Sequence, residues 1–288
     1  MSKEGYNLYN YVVAWVDLLG QTRKLERLFI PSAESERERA VVAARETFGH
    51  VARFRKTVVT MSQEMSKSVE YSSGTLNQLT PNQQSVLEKY NEVKVDVAFF
   101  SDSAVLAIPL RGTGDRPPYM SLMSMFEQLA FNKLLLLSLG IPIRAGVAVG
   151  ICDYLESGEL YGQGISRAHY CESVAGYPRI VIHPTFLTYL SSFDFTEFDP
   201  DDATYGKSMI QRVRSTIARD YDGRLVLSYL CQNFWEIFTK TKGYEELLKQ
   251  ICLFISDEIK KWSEIGDGKL VERYTMLREY FKKERRWV

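Results

Sequence analysis

The sequence predicts an α+β fold: a strand-helix-strand-strand-helix-strand unit, extra strands after it, and a helical extension at the C-terminal end. Two apolar runs of strand composition, residues 11–20 (Tyr-Val-Val-Ala-Trp-Val-Asp-Leu-Leu-Gly) and residues 97–109, each hold one acid, Asp17 and Asp102. Between and after them lie stretches whose apolar residues recur every three or four positions, the mark of one buried helical face. Past Cys231 the strand signals fade and only helical spacing continues.

In order, the first apolar run is a strand that ends at Gly20, where the chain turns polar (Gln-Thr-Arg-Lys). A long helix is expected from Ser35, because Ser35 and Glu38 have capping-box spacing; its buried face would hold Val41, Ala44, Phe48, Val51, Phe54, Val58 and Met61. Residues from about 66 to 90 are rich in Ser, Thr, Asn and Gln, with Gly74 and Pro81, and read as a polar surface insertion. Residues 95–109 read as two strands meeting in a hairpin at Ser101-Asp102-Ser103. A Gly/Pro-rich loop, Gly112 to Pro118, leads to an apolar helix from Tyr119 to Leu139, stopped by Gly140 and Pro142. Ile143 to Val149 is the next strand, with Arg144 its only charge. This is the ferredoxin-like βαββαβ order.

Beyond it, Leu155 to Gly162 gives a turn and a short strand, Gly164 to Ser173 a short helix, and Tyr177 to Ile182 a strand. Phe186 to Phe198 is expected as a helical turn and a strand, and Asp220-Tyr221-Asp222-Gly223 as a hairpin turn feeding Leu225 to Tyr229. The spacing of Phe234 through Ile259 predicts a helix, and that of Val271 to Phe281 another. The expected division is a catalytic-type domain over 1–230 and a helical extension over 231–288.

The 36 basic residues balance the 36 acidic ones, which gives no case for nonspecific nucleic-acid binding or a polybasic membrane anchor. Cys152, Cys171, Cys231 and Cys252 form no CxxC pair and lie near no histidine pattern, so reduced thiols are expected rather than zinc ligands. No apolar run reaches the length of a membrane span, and the N-terminal residues have no signal-peptide character. A cytoplasmic protein is the expectation.

An ionised carboxylate at the end of a buried strand is costly unless it is paired, hydrogen-bonded or bound to metal. Two such acids on neighbouring strands can hold two divalent ions about 3.5 to 4 Å apart, and oxygen-only ligation suits Mg²⁺ or Mn²⁺. A palm with two acids also describes polymerases and diguanylate cyclases.

Four motifs in order narrow this: Val16-Asp17-Leu18-Leu19-Gly20, Phe100-Ser101-Asp102-Ser103, Ile141 to Gly150 (Ile-Pro-Ile-Arg-Ala-Gly-Val-Ala-Val-Gly), and Tyr161 to Glu172 leading to Tyr177-Pro178-Arg179-Ile180. On them the chain resembles the class III nucleotidyl cyclases, and within these the bacterial cyclases of Pycsar antiphage defence, which make cyclic pyrimidine nucleotides. The resemblance covers about residues 11–230 and implies a cyclase palm. It implies that Asp17 and Asp102 are catalytic metal ligands for two Mn²⁺ or Mg²⁺ ions, joined by the Leu18 backbone carbonyl. It also implies that backbone N–H groups of Leu19, Gly20, Gln21 and Thr22 meet the triphosphate, and such groups before a helix suit an anion.

Purine-specific relatives read the base with a Lys or Glu where Ala98 stands, and support the ribose and transition state with an Asn and an Arg where Ser166 and Tyr170 stand. These departures point to a pyrimidine, since a pocket built for a purine edge would leave groups unpaired. Arg167 or Arg144 is left to supply the missing positive charge. Arg144 and Arg167 can equally be surface charges, Arg179 and the Asp220–Asp222 turn structural, Glu159 an exposed acid, and His169 and His183 isolated. The expected activity is uridylate cyclase, UTP to 3′,5′-cyclic UMP and pyrophosphate, with cytidylate cyclase as the alternative. Implied partners are a second copy, with active sites at the homodimer interface, and a separate effector that responds to the cyclic nucleotide. A noncatalytic nucleotide-binding module and a scaffold that uses the C-terminal helices are the other classes.

Overall fold

In a computed structural model the chain is described over residues 9–68, 94–110, 118–196, 198, 200–284 and 286. The first apolar run forms β1 (Tyr9–Leu18), and the second forms the hairpin β2 (Asp96–Phe100) and β3 (Ser103–Leu110). Between them lie a short helix α1 (Gln21–Leu25) and the long α2 (Glu34–Ser68). Helix α3 (Tyr119–Ser138) leads to β4 (Ile143–Tyr154), β5 (Leu160–Gly162) and α4 (Gln163–Ser173). Then come β6 (Ile180–Ile182), α5 (Pro184–Ser191), α6 (Pro200–Ser215), β7 (Ile217–Arg219) and β8 (Leu225–Leu227). The described chain closes with α7 (Gln232–Phe238), α8 (Tyr244–Ile265) and α9 (Gly268–Lys283).

The strands make one mixed sheet in the order β2-β3-β1-β4-β6-β8-β7, with β5 paired to β4. The fold is α+β; its first half has the expected βαββαβ succession of elements, and its strands lie in the order β4-β1-β3-β2 with every neighbouring pair antiparallel. Alternation along β1 assigns its two faces. Val12, Ala14, Val16 and Leu18 enter the main core with α2 and α3, whereas Tyr11, Val13 and Trp15 face the layer that contains α4. Phe234, Phe238, Leu248, Ile251, Ile255, Leu277 and Phe281 of the C-terminal helices share that main core with α3.

Helix α4 lies against β4 because two glycines make room for it. A Cβ on Gly146 would stand 2.0 Å from the Ala168 carbonyl oxygen and 2.5 Å from the Glu172 nitrogen, and one on Gly150 would stand 2.6 Å from the Gly164 nitrogen. The helix therefore runs backbone-to-backbone over the strand, its C-terminal end above the start of β4.

Several sequence expectations are corrected. Helix α2 begins one residue earlier than Ser35, and the reciprocal acid is Glu36, whose carboxylate accepts from the Ser32 N–H and hydroxyl at 3.0 and 2.8 Å. Only the later part of its apolar stripe is buried: Phe54 and Val58 are, but Val41 and Phe48 are exposed. The strand expected over 177–182 is confined to Ile180–Ile182, because Pro178 has no N–H and Arg179 turns to Asp220 and Asp222 at 2.5 and 2.6 Å. No strand follows α5 over 192–196; the helix α6 follows instead, with Met209, Ile210 and Val213 buried. The helix expected over 234–259 is two, α7 and α8, separated by Thr239 to Gly243, with Gly243 left-handed at φ 86°. The polar insertion past Ser68 and the loop over 112–117 lie outside the described residues.

Candidate active site

Strand register builds the site. Phe100 of β2 pairs with Ser103 of β3, Ser103 with Asp17 of β1, and Asp17 with Arg144 of β4, so four side chains form one row across the sheet on the face that carries α4. The hydroxyl of Ser103 donates to Asp17 Oδ1 at 2.7 Å, which fixes the carboxylate along the row. Asp102 sits in the two-residue turn beside it. That turn is tight: Ser101 has φ 52°, the one non-glycine residue at positive φ among the described residues, and its carbonyl accepts from Arg55 of α2 at 2.5 Å. Backbone strain of this kind persists only where the surroundings hold it.

Arg144 joins the row to α4. Its Nη2 lies 2.6 Å from Glu172 Oε1 and 3.6 Å from Asp17 Oδ2, so the guanidinium is anchored on Glu172 and only leans toward Asp17. The surface alternative for Arg144 is thus set aside; the side chain is 19% exposed. Burial raises the Asp17 carboxyl above its ordinary range; the Ser103 hydrogen bond opposes this, the Asp102 charge adds to it, and Arg144 opposes it. Glu172 is likewise raised, by burial first and by the Asp17 and Asp102 charges, against Arg144.

Asp17 and Asp102 therefore repel each other in a partly desolvated corner, an arrangement that a cation relieves. Among the described residues no group of three or more His, Cys, Asp or Glu forms a metal cluster, so a metal here would rest on two carboxylates with backbone and substrate oxygens. The Leu18 carbonyl fits that set. Leu19 N–H donates to Pro142 on the β4 side at 3.0 Å, so Leu18 points its backbone groups to the hairpin side, past the last β1–β3 pair at Asp17 and Ser103. Hard oxygen donors of this kind suit Mg²⁺ or Mn²⁺.

A stability cost at Asp17 follows from its raised carboxyl. A carboxylate whose folded pKa lies above its unfolded value destabilises the fold fully above the folded pKa, and the penalty fades as pH falls toward the unfolded value of about 3.9. In metal-free buffer, Asp17→Asn is expected to melt above the parent at about pH 7.5, with the gap closing toward about pH 4. Thermal melts across that range check this; a variant that melts below its parent at neutral pH contradicts it.

Two residues of the expected phosphate turn differ from the rest. The Leu19 N–H is taken by Pro142, and the Gln21 side chain is buried, whereas left-handed Gly20 (φ 81°) and exposed Thr22 open α1. On the neighbouring row, Ala98 pairs with Val105 and Val105 with Trp15, and Trp15 stacks on Phe100 at 5.8 Å and 15°. Ala98 thus borders an apolar, aromatic floor beside the acids.

The structure does not bring Ser166, Arg167 and Tyr170 to Asp17 of the same chain. Arg167 donates to the Val149 carbonyl at 3.0 Å, five residues along β4 from Arg144, while Ser166 and Tyr170 are exposed on the outer side of α4. His169 packs edge-on against Trp15 at 5.1 Å, and His183 caps α5, accepting from the Thr185 N–H. Arg179 is structural, held between Asp220 and Asp222. Glu172 is the residue that sequence reasoning missed; the glycine spacing Gly146 to Gly150, which seats α4, was its available signal.

The four cysteines are free thiols, and no described helix is long and apolar enough to cross a membrane. No protein-family model matches the chain, and no curated protein does. Among solved structures, the adenylyl cyclase CyaB from P. aeruginosa aligns at 14% identity over 77% of this chain and 93% of its own, with TM-score 0.40. A bacterial light-regulated adenylyl cyclase aligns at 10% identity over 65% and 82%, TM-score 0.37. The guanylyl cyclase domain of the RhoGC fusion protein from Blastocladiella emersonii aligns at 13% over 64% and 86%, TM-score 0.34. Likenesses at this level carry no argument for what this chain does.

Proposed function

We propose that the chain is a nucleotidyl cyclase that closes a pyrimidine nucleoside triphosphate, UTP foremost, to its 3′,5′-cyclic monophosphate with release of pyrophosphate. The observation that carries this reading is the row Phe100–Ser103–Asp17–Arg144 with Asp102 at its edge, which puts two repelling carboxylates at one strand end.

Asp17, Asp102 and the Leu18 carbonyl would hold two Mn²⁺ or Mg²⁺ ions. When bound, such ions lower the pKa of the ribose 3′-hydroxyl and offset the charge of the departing pyrophosphate. The chain's own groups do the positioning. Ser103 fixes the Asp17 carboxylate through Oδ1, leaving Oδ2 on the Arg144 side at 3.6 Å. Glu172 braces Arg144, which keeps a positive charge beside the reacting phosphate without a close pair to Asp17. The N–H groups at the start of α1, without intrahelical acceptors, meet phosphate oxygens.

The pyrimidine reading rests on the row next to the acids. Ala98, Val105, Trp15 and Gly146 offer no carboxylate or ammonium to read a purine edge, and Trp15 with Phe100 gives a base an aromatic surface. Because Ser166, Arg167 and Tyr170 lie away from Asp17 in one chain, a second copy would present them, and the working unit is a homodimer with two equivalent sites. The cyclic nucleotide would act as a second messenger in antiphage defence, through a separate effector.

The test is an equimolar mixture of ATP, GTP, CTP and UTP with Mn²⁺, analysed by mass spectrometry for each cyclic nucleotide. Cyclic UMP is expected to dominate. Cyclic CMP in its place reassigns the base, cyclic AMP or GMP overturns the pyrimidine reading, and no cyclic product overturns the cyclase. Nucleotide binding that raises the melting temperature with no pyrophosphate released would establish a noncatalytic module.

A further inference from the structure

The C-terminal helices do more than cover the core. With α1 and α2 they line a cavity of about 500 Å³ that includes Leu19 and Gly20, two and three residues past Asp17, and Pro142, whose carbonyl accepts from the Leu19 N–H. Arg23 ties the two walls together: its guanidinium donates to Asp267, the N-cap of α9, at 2.7 Å and lies 5.2 Å over the Trp262 ring of α8. The wall is thereby fixed beside the Gly20 turn.

Charge in the cavity is one-sided. Of its acids, Asp267 is engaged by Arg23, and Glu258 by Lys261 and the Trp262 indole, each at 2.7 Å. Glu46 remains on the α2 side. Against it stand Lys24, Arg27, Lys269 and Arg273, none of which forms an ion pair among the described residues. The Lys24 ammonium lies against His50 Nδ1, with Glu46 and Glu258 acting on its charge across the cavity. Arg273 is half-buried and close enough to Arg144 that the two cations repel, and burial together with that repulsion lowers its pKa, as burial does for Lys24. Lys24 and Arg273 are partly desolvated while Arg27 and Lys269 are open to solvent, and Glu46, Glu258 and Asp267 offset part of the charge; six cations against three acids around one cavity still favour a polyvalent anion.

We propose that this cleft takes the triphosphate of the nucleotide whose sugar lies at Asp17, with Lys269 and Arg273 of α9 binding the phosphates from one wall and Lys24 and Arg27 from the other. The C-terminal helices are then part of the substrate site, and not a separable extension. Arg273 sits between the two halves: it looks toward Arg144 on one side and into the cleft on the other. The proposal rests on the cyclase reading for the identity of the ligand, but the anion chemistry of the cleft can be measured without it.

The probe is inorganic tripolyphosphate in metal-free buffer, titrated calorimetrically into the full chain. The K269Q/R273Q double variant is expected to weaken binding tenfold or more, and the charge-preserving K269R/R273K variant to restore it. In turnover, K269Q/R273Q should raise the KM for the nucleotide while leaving the cyclic product the same. Should the double variant fail to fold by circular dichroism, R27Q and R273Q singly carry the same expectation. Equal tripolyphosphate affinity in parent and charge-removed variants overturns the proposal, as does cyclase activity with an unchanged KM. If no nucleotide is cyclised yet binding still depends on Lys269 and Arg273, the cyclase reading fails while the anion cleft stands.

Discussion

Replacing Asp17 with alanine is expected to cut cyclic-nucleotide formation by roughly a thousandfold or more, since loss of a shared metal ligand removes several kcal/mol of transition-state stabilisation. Asp102→Ala should do the same, and the double variant should be scarcely worse than either alone, because residues that act as one unit are not additive. The fold should survive. Asp17 contributes a carboxylate that burial disfavours, and its loss frees Ser103 to find water at the partly open strand end. Steady-state rates with Mn²⁺ and a melting curve for each variant check both halves of this expectation. An Asp17→Ala protein that retains a tenth of the parent rate would remove the carboxylate from the chemistry.

Gly146→Ala is expected to damage both fold and activity. Its Cβ would lie 2.0 Å from the Ala168 carbonyl oxygen and 2.6 Å from the Cys171 Cβ, backbone and side-chain root that cannot swing aside. Helix α4 must lift from β4, at a cost of about 3 kcal/mol, in the upper part of the range for overpacked cores. The lift carries Glu172 away from Arg144, so the guanidinium loses its 2.6 Å anchor and closes on Asp17 instead. Chemical denaturation measures the first effect. The second appears as a fall in turnover larger than the lost stability explains, measured at a temperature where the variant is still folded. A variant with parental stability would show that α4 does not sit on this glycine.

The strands and the main helices were legible because their signals are local. β1 is a run of alternating faces with Gly20 just past its end, β2 and β3 meet at a turn of Ser and Asp, and α3 is stopped by Gly140 and Pro142. What escaped depends on pairing at a distance. Glu172 sits inside a Tyr-Cys-Glu-Ser segment with no signal of its own, and the packing of α4 on Gly146 carries it to Arg144. In the sequence Ser103 is part of a turn, yet its hydroxyl orients Asp17 through a register no single strand reveals. Helix α6 was missed because its buried residues, Met209, Ile210 and Val213, are few among charged neighbours. The apolar residues at the start of α2 have helical spacing but remain exposed at Val41 and Phe48: periodicity indicates one face, and the rest of the fold decides whether anything covers it.

Of the candidate site residues, Asp17 and Asp102 can be paired from sequence because each is a lone acid in an apolar run. The cations could not be ranked. Arg144, Arg167 and Arg179 look alike in a sequence, but one reaches Glu172 and Asp17, one a backbone carbonyl of β4, and one a pair of turn aspartates. Lys269 and Arg273 carry no signal in the sequence, since a basic residue on an amphipathic C-terminal helix is ordinarily a solvated one.

The central claim is that Asp17 and Asp102 make one centre for nucleotide cyclisation. Its most direct measurement is the yield of cyclic nucleotide and of pyrophosphate in the same reaction, from UTP with Mn²⁺, for the parent and for Asp17→Ala. Equal molar yields are expected from the parent and neither product from the variant. Pyrophosphate without cyclic nucleotide, or equal output from both proteins, would contradict it.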